Sequence, residues 1–281
     1  MTVYQKVTSW EEALNALTQP EITILAGGTD LYADEKFPHK NSRLVDISQL
    51  KSNHLITEDE GGWWFDALMT WSDFTAANLP PLFDGLKAAA RQIGGVQIQN
   101  AGTIGGNICN ASPAADSVPP LMALNAEVEI RNLDGARLVP LGDFILGRRK
   151  TTLRSGEMIS RIFVPKPDGY GVSDFIKIGG RAYLVISPVM VAGMLDLSDT
   201  KIINSCRIVV GACSEVAQKL DSISNRLVGI HVSEISRFEL TSDDFAGLTP
   251  ISDGRASAEY RRQSAETLVA RLLKKWGTVY G

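Results

Sequence analysis

The sequence has few cysteines and no apolar run long enough to span a membrane. Its three cysteines, Cys109, Cys206 and Cys213, are an odd number at wide spacings. This arrangement excludes a disulfide framework and a four-thiolate iron–sulfur site, so we expect no metal in this chain. The N-terminus lacks the basic segment followed by an apolar segment that is typical of a secretory signal peptide. These absences predict a cytoplasmic protein with no membrane partner.

An excess of basic residues is also missing, since 28 Lys and Arg are interspersed among 32 Asp and Glu. A nucleic-acid-binding surface needs a basic stripe, so nucleic acid is excluded as a partner. The Rossmann fingerprint is absent too, because no group of three glycines opens a long helix with an acidic residue about 20 positions later. A Rossmann dehydrogenase is therefore a poor fit to this sequence.

Two short glycine-rich segments are present instead. Glycine segment 1 (residues 26–30) follows the apolar run 22–25, which predicts a strand. Glycine segment 2 (residues 103–110) reads Thr-Ile-Gly-Gly-Asn-Ile-Cys-Asn. Adjacent glycines let backbone amides approach a ligand closely, and small polar side chains add donors. Each segment is therefore an anion-binding nest or an ordinary turn, and two nests together could hold a pyrophosphate.

Hydrophobic periodicity predicts alternating helices and strands in the first half. Ser9 and Glu12 form a capping box that opens a helix, and Ser72 caps a second helix. Residues 96–120 are predicted to be a long functional loop. The other elements of this half are strands at 43–47, 63–68, 127–131, 137–141 and 158–164, and a helix at 82–93.

After a linker at 163–169, three apolar runs predict a small antiparallel sheet at 174–181, 188–197 and 202–210. Helices are predicted at 215–227 and 257–276. In the last helix we assign Tyr260, Leu268, Leu272 and Leu273 to an apolar face, and Arg261, Arg262 and Glu266 to a solvated one. The predicted domains are 1–167, with subdomains of about 1–55 and 56–167, and 168–281.

Residues 26–31 and 103–107, with the trailing residues 114–121, resemble the FAD-binding medium subunit of the molybdenum hydroxylases, the family of xanthine dehydrogenase and carbon monoxide dehydrogenase. Lys177, Arg181 and residues 257–262 extend the resemblance over nearly the whole chain. It implies an α+β fold. Two α/β subdomains, of the PCMH type found in vanillyl-alcohol oxidase-like flavoproteins, precede a C-terminal domain of the CO dehydrogenase flavoprotein type with a three-stranded antiparallel sheet and helices.

The resemblance implies non-covalently bound FAD. The diphosphate would lie on the two glycine segments, Asp116 would bond a sugar or ribityl hydroxyl, and Ile159 and Lys177 would lie near the flavin or the dinucleotide. The expected cofactor-binding residues are Leu25, Ala26, Gly27, Gly28, Thr29, Asp30, Thr103, Gly105, Gly106, Asn107, Asn110, Asp116, Ile159 and Lys177. We expect no catalytic residue in this chain, because His39, His54 and His231 lie far from both segments in sequence and read as surface or structural residues.

The family function implied is electron transfer. A small subunit with two 2Fe–2S clusters would pass electrons through FAD to NAD⁺, dioxygen or another acceptor, while a large subunit carries the molybdenum cofactor, in a dimer of heterotrimers. Residues 212–216 lack a proline that is common in the family, and whether Tyr183 stacks on the flavin is open. The access route to the flavin and the identity of its electron acceptor therefore stay open. Two alternatives also stay open: a stand-alone flavin-dependent oxidoreductase and a non-redox nucleotide-binding scaffold.

Overall fold

A computed structural model describes residues 3–33, 43–179 and 186–281. The strands in this part are β1 (Val3–Lys6), β2 (Ile22–Leu25), β3 (Arg43–Asp46), β4 (Ile56–Glu58), β5 (Gly62–Asp66), β6 (Glu127–Asn132), β7 (Gly135–Pro140), β8 (Ile145–Gly147), β9 (Lys150–Thr151), β10 (Met158–Pro165), β11 (Tyr170–Ile178), β12 (Val189–Leu197), β13 (Ile203–Gly211) and β14 (Gln218–Lys219). The helices are α1 (Trp10–Ala16), α2 (Trp71–Ala76), α3 (Asp84–Ala90), α4 (Val96–Ala101), α5 (Ile104–Asn110), α6 (Val118–Ala123), α7 (Leu141–Phe144), α8 (Asp221–Leu227) and α9 (Ala258–Val279).

The chain divides into two compact units, of which the first comprises Met1–Ala76, Gly95–Ala111 and Ala126–Pro165. Its parallel sheet has the order β1-β3-β2, and its antiparallel sheet has the order β4-β5-β10-β6-β7. The predicted cap of α1 is confirmed, because the Ser9 hydroxyl accepts the Glu12 N–H at 3.2 Å. The apolar side of α1 packs into a core with β3.

The second unit comprises Ala77–Gly94, Ser112–Asn125 and Lys166–Gly281. It contains the antiparallel sheet β11-β12-β13-β14, which confirms the three predicted strands and adds a short fourth one. All nine residues of β12 are buried, which explains why that strand reads as a continuous apolar run rather than an alternating one. Helix α9 packs into the same core as this sheet. The domain boundary at residue 167 stays a prediction.

Three sequence-based predictions of secondary structure are wrong. Residues 96–120 form α4, α5 and the start of α6 rather than one long loop, and the start of α5 is held by hydrogen bonds from Ile104 and Gly105 to the distant Met69 and Ala67 carbonyls. Helix α2 is capped by the Thr70 hydroxyl, which accepts the Asp73 N–H at 3.2 Å, so Ser72 is not the cap. Residues 215–227 contain β14 before α8 begins at Asp221.

The outer face of α9 also differs from the prediction. Arg261 was expected in solvent but is 3% exposed, and its guanidinium donates to the Pro188 carbonyl at 2.6 Å and the Ala212 carbonyl at 2.9 Å. A buried arginine is tolerated when carbonyls and a carboxylate accept its protons. Tyr260 was expected in the apolar face but is 48% exposed, while Leu268 and the neighbouring leucines are buried as predicted.

Candidate functional site

Glycine segment 1 begins where β2 ends, in the first unit. Leu25 is buried as the last residue of the strand, and Gly28 has a φ of +70°, which favours glycine. The backbone N–H groups of Gly27, Gly28, Thr29 and Asp30 donate to no acceptor among the described residues. Successive amides of this kind form a concave site for an anion.

The two glycine segments lie close together within this unit. An added Cβ at Gly27 would lie 1.8 Å from the Ala101 carbonyl oxygen, so only glycine permits the observed approach of the two backbones. Thr29 also lies close to this backbone, because its hydroxyl would be 3.4 Å from a Cβ added at Gly102. Ala26 is half-buried and packs against the core around α1. The backbone just before glycine segment 2 therefore packs directly against glycine segment 1, and that the two segments hold a pyrophosphate between them stays a prediction.

Glycine segment 2 differs from the expected nest because it forms α5, with Thr103 as its N-cap. The amides of the first turn all donate within the protein: Ile104 to the Met69 carbonyl (3.0 Å), Gly105 to the Ala67 carbonyl (2.8 Å), Gly106 to the Thr103 hydroxyl (3.1 Å) and Asn107 to the Thr103 carbonyl (3.0 Å). The idea that these four amides are open to a ligand is wrong. That Thr103, Gly105, Gly106 and Asn107 contact the cofactor stays a prediction.

The glycines of α5 have a packing role and leave small groups at the surface. A Cβ at Gly105 would lie 2.8 Å from both Cβ and the carbonyl oxygen of Ala67, so the helix packs closely there. Gly106 is exposed, and Asn107 and Asn110 are half-buried. This part of segment 2 therefore presents side-chain amides rather than backbone amides.

A polar cluster joins the two segments at Asp30. The Asn110 amide donates to one carboxylate oxygen of Asp30 at 3.2 Å. The Arg149 guanidinium donates to the other oxygen at 3.0 Å and to the first at 3.5 Å. All three residues belong to the first unit, and the ion pair is accessible to solvent. We call Asp30, Asn110 and Arg149 the Asp30 cluster.

Arg149 was missed by the sequence reasoning. It lies in the turn between β8 and β9, two short strands that were not predicted, and its backbone N–H donates to the Ala111 carbonyl at 2.9 Å. Its φ is +55°, a conformation that residues other than glycine rarely adopt. The only signal in the sequence was the run of three cations at 148–150, which by itself is typical of a solvated turn.

Asp116 and Lys177 form a buried ion pair in the second unit. The Lys177 ammonium lies 2.7 Å from one Asp116 oxygen, and the Ser187 hydroxyl donates to the other at 2.8 Å. The two side chains are 6% and 9% exposed. Burial raises the pKa of Asp116, while Lys177 and Ser187 act against that shift. That Asp116 and Lys177 contact FAD stays a prediction.

The remaining candidates are dispersed. Ile159 is buried on β10 beside a register shift, and its contact with the cofactor stays a prediction. His54 is exposed, and the half-buried His231 ring accepts the Ser233 N–H. His39, Arg181 and Tyr183 lie outside the described residues.

The described residues contain neither a group of three metal ligands nor a helix suited to a membrane. No three side chains of the His, Cys, Asp or Glu type converge as metal ligands within 3–33, 43–179 and 186–281. Within the same ranges, none of the helices combines the length and the apolar character that crossing a bilayer requires.

Comparison with known sequences defines the class of protein. Residues 1–167 match the family described as the FAD binding domain in molybdopterin dehydrogenase, and residues 175–276 match the CO dehydrogenase flavoprotein C-terminal domain. The chain belongs to this FAD-binding family of molybdenum hydroxylase subunits and is an oxidoreductase subunit. The family resemblance and the α+β fold predicted from the sequence are confirmed.

Individual relatives align over nearly their full length. The chain is 28% identical to a putative xanthine dehydrogenase FAD-binding subunit of Escherichia coli K12, covering 97% of this chain and 94% of the relative. It is 29% identical to the glyceraldehyde dehydrogenase medium chain of Sulfolobus acidocaldarius, covering 97% of each. The fold matches quinoline 2-oxidoreductase from Pseudomonas putida 86 with a TM-score of 0.86 and 25% identity, covering 99% of this chain and 97% of the other.

Proposed function

We propose that this chain is the FAD-binding electron-transfer subunit of a molybdenum hydroxylase and that glycine segment 1 holds the FAD diphosphate. The observation that carries the proposal is the series of open N–H groups at residues 27–30. A diphosphate is an anion with many acceptor oxygens, so it fits such a site. Gly27 keeps this segment packed against the Ala101 carbonyl, which holds the series of amides in place.

FAD, when bound, supplies the redox chemistry of the subunit. The chain supplies position: glycine segment 1 donates backbone hydrogen bonds, and segment 2 adds the side-chain amides of Asn107 and Asn110 at its surface. None of these groups is a titrating acid or base at neutral pH, and the proposal assigns no catalytic residue to this chain.

The partners in the proposal are a small subunit with 2Fe–2S clusters and a large subunit with the molybdenum cofactor, assembled as a dimer of heterotrimers in the cytoplasm. Electrons would pass from the clusters through FAD to NAD⁺, dioxygen or another acceptor. The names of the two sequence relatives support this, since one is an FAD-binding subunit and the other a medium chain. Their names refer to different substrates, which supports placing the choice of substrate on a partner chain.

The test is purification of the tagged full chain from its own host, with mass spectrometry of the co-purifying proteins and an absorbance spectrum of the sample. The proposal predicts flavin absorbance and two partners in equal amounts, one of them containing iron and the other molybdenum. A yellow chain that is isolated alone and oxidises a substrate unaided would favour the stand-alone oxidoreductase. A chain that binds ADP but never FAD would favour the nucleotide-binding scaffold.

A further inference from the structure

The position of Asp30 raises an electrostatic problem for anion binding. Asp30 is the last residue of the open amide series 27–30, so its carboxylate belongs to the segment that is proposed to bind the anion. A negative charge beside an anion site opposes the binding of a second anion. Since the proposed ligand of these amides is a diphosphate, this carboxylate needs a compensating charge.

Arg149 supplies a positive charge at that point. Its guanidinium contacts both carboxylate oxygens of Asp30, although the two residues are 119 positions apart in the chain. Its backbone is held separately, because the Arg149 N–H donates to the Ala111 carbonyl directly after α5. Its backbone is in the left-handed conformation, which is costly for an arginine.

We infer that Arg149 is a positioning residue of the diphosphate site, which neutralises Asp30 and thereby lets an anion bind to glycine segment 1. This inference rests on the proposed function, since it assumes the diphosphate as ligand. The Asp30–Arg149 ion pair has no net charge. Asn110 donates a hydrogen bond to the same carboxylate and, being neutral, does not change the net charge. Exposed ion pairs contribute little to folding stability, so the effect of Arg149 should be seen in ligand binding.

The test is calorimetric titration of the flavin-free full chain with FAD, ADP and riboflavin at low ionic strength. Arg149→Met should weaken FAD and ADP binding about tenfold, since it leaves Asp30 uncompensated. Riboflavin has no phosphate, so its affinity should stay unchanged. Lys150→Met is the matched control, because it removes the same charge one residue away, and it should stay within about twofold of the wild type.

The double variant Arg149→Met with Asp30→Asn gives the decisive result. Removing both charges restores the balance, so FAD affinity should return to within about twofold of the wild type. High salt should reduce the deficit of the single variant. The inference is overturned if wild-type and Arg149→Met chains bind FAD equally, if riboflavin weakens in parallel, or if Asp30→Asn gives no rescue. A wild-type chain that binds neither FAD nor ADP would instead refute the proposed function.

Discussion

Replacing Gly28 by alanine tests whether the conformation of glycine segment 1 binds the cofactor. Gly28 has a φ of +70°, and an added Cβ would lie 2.7 Å from a ring carbon of Tyr32. Tyr32 is 64% exposed and its ring can shift, so the main expected cost is the backbone strain, about 1–2 kcal/mol for alanine in the left-handed region. The shift needed to relieve it would reorient the amides of residues 27–30.

Gly156 provides a matched control in the same unit. Its φ is +81°, and an added Cβ there meets no atom within 4 Å. Gly156→Ala should therefore lower the free energy of unfolding by a similar amount, about 1–2 kcal/mol, in urea titrations of the flavin-free chain. The affinity for FAD should stay normal in Gly156→Ala. In Gly28→Ala it should fall at least about tenfold.

Comparing the two variants separates folding from binding. If both lose stability equally and both keep full FAD, the amides of segment 1 do not hold the diphosphate. If Gly28→Ala loses FAD only together with its folded structure, as judged by near-ultraviolet circular dichroism, the strain reasoning is wrong.

Three further predictions concern the second unit. Lys177→Met should cost about 3–5 kcal/mol of unfolding free energy because Asp116 is left buried and unpaired, and adding Asp116→Asn should recover part of it. Arg261→Met should cost about 3 kcal/mol in a urea titration, because buried carbonyls lose their donor, whereas Arg271→Met at an exposed position of the same helix should change stability by less than about 0.5 kcal/mol. Hydrogen bonds from Arg255 and Arg261 lower the pKa of Asp253 from 3.8 to about 2, so its stabilisation is present above pH 3.8 and is lost as the pH falls through about 2. The stability difference between wild type and Asp253→Asn, measured against pH, should shrink across that window and stay constant if Asp253 does not contribute.

Strong local signals in the sequence gave correct predictions. The strand that ends at Leu25 is short and apolar and stops at two glycines, and the predicted cap residue Ser9 accepts the backbone N–H three residues on. These features depend only on neighbours in the chain. The end of β2 at two glycines could therefore be predicted without the rest of the fold, whereas the binding role of glycine segment 1 stays a prediction.

Features that depend on distant residues were missed. Gly105 and Gly106 have low helix propensity, so the local sequence predicted a loop. The Ala67 and Met69 carbonyls that stabilise the start of α5 cannot be identified from the local sequence. Arg261 has the spacing of a solvated face, and periodicity cannot show that its long side chain reaches buried carbonyls. Arg149 could not be assigned to the site from the sequence, because only the folded structure brings the turn between β8 and β9 next to Asp30.

The interleaved composition of the two units has a consequence for biosynthesis. Helices α3 and α6 belong to the second unit, yet they are synthesised before any strand of its sheet. At typical rates of translation, α3 leaves the ribosome on the order of ten seconds before β13 is complete. Every residue of α6 is buried in the folded protein, so this apolar surface stays uncovered during that interval. The nascent chain is therefore a predicted substrate for chaperones until the C-terminal half has been made.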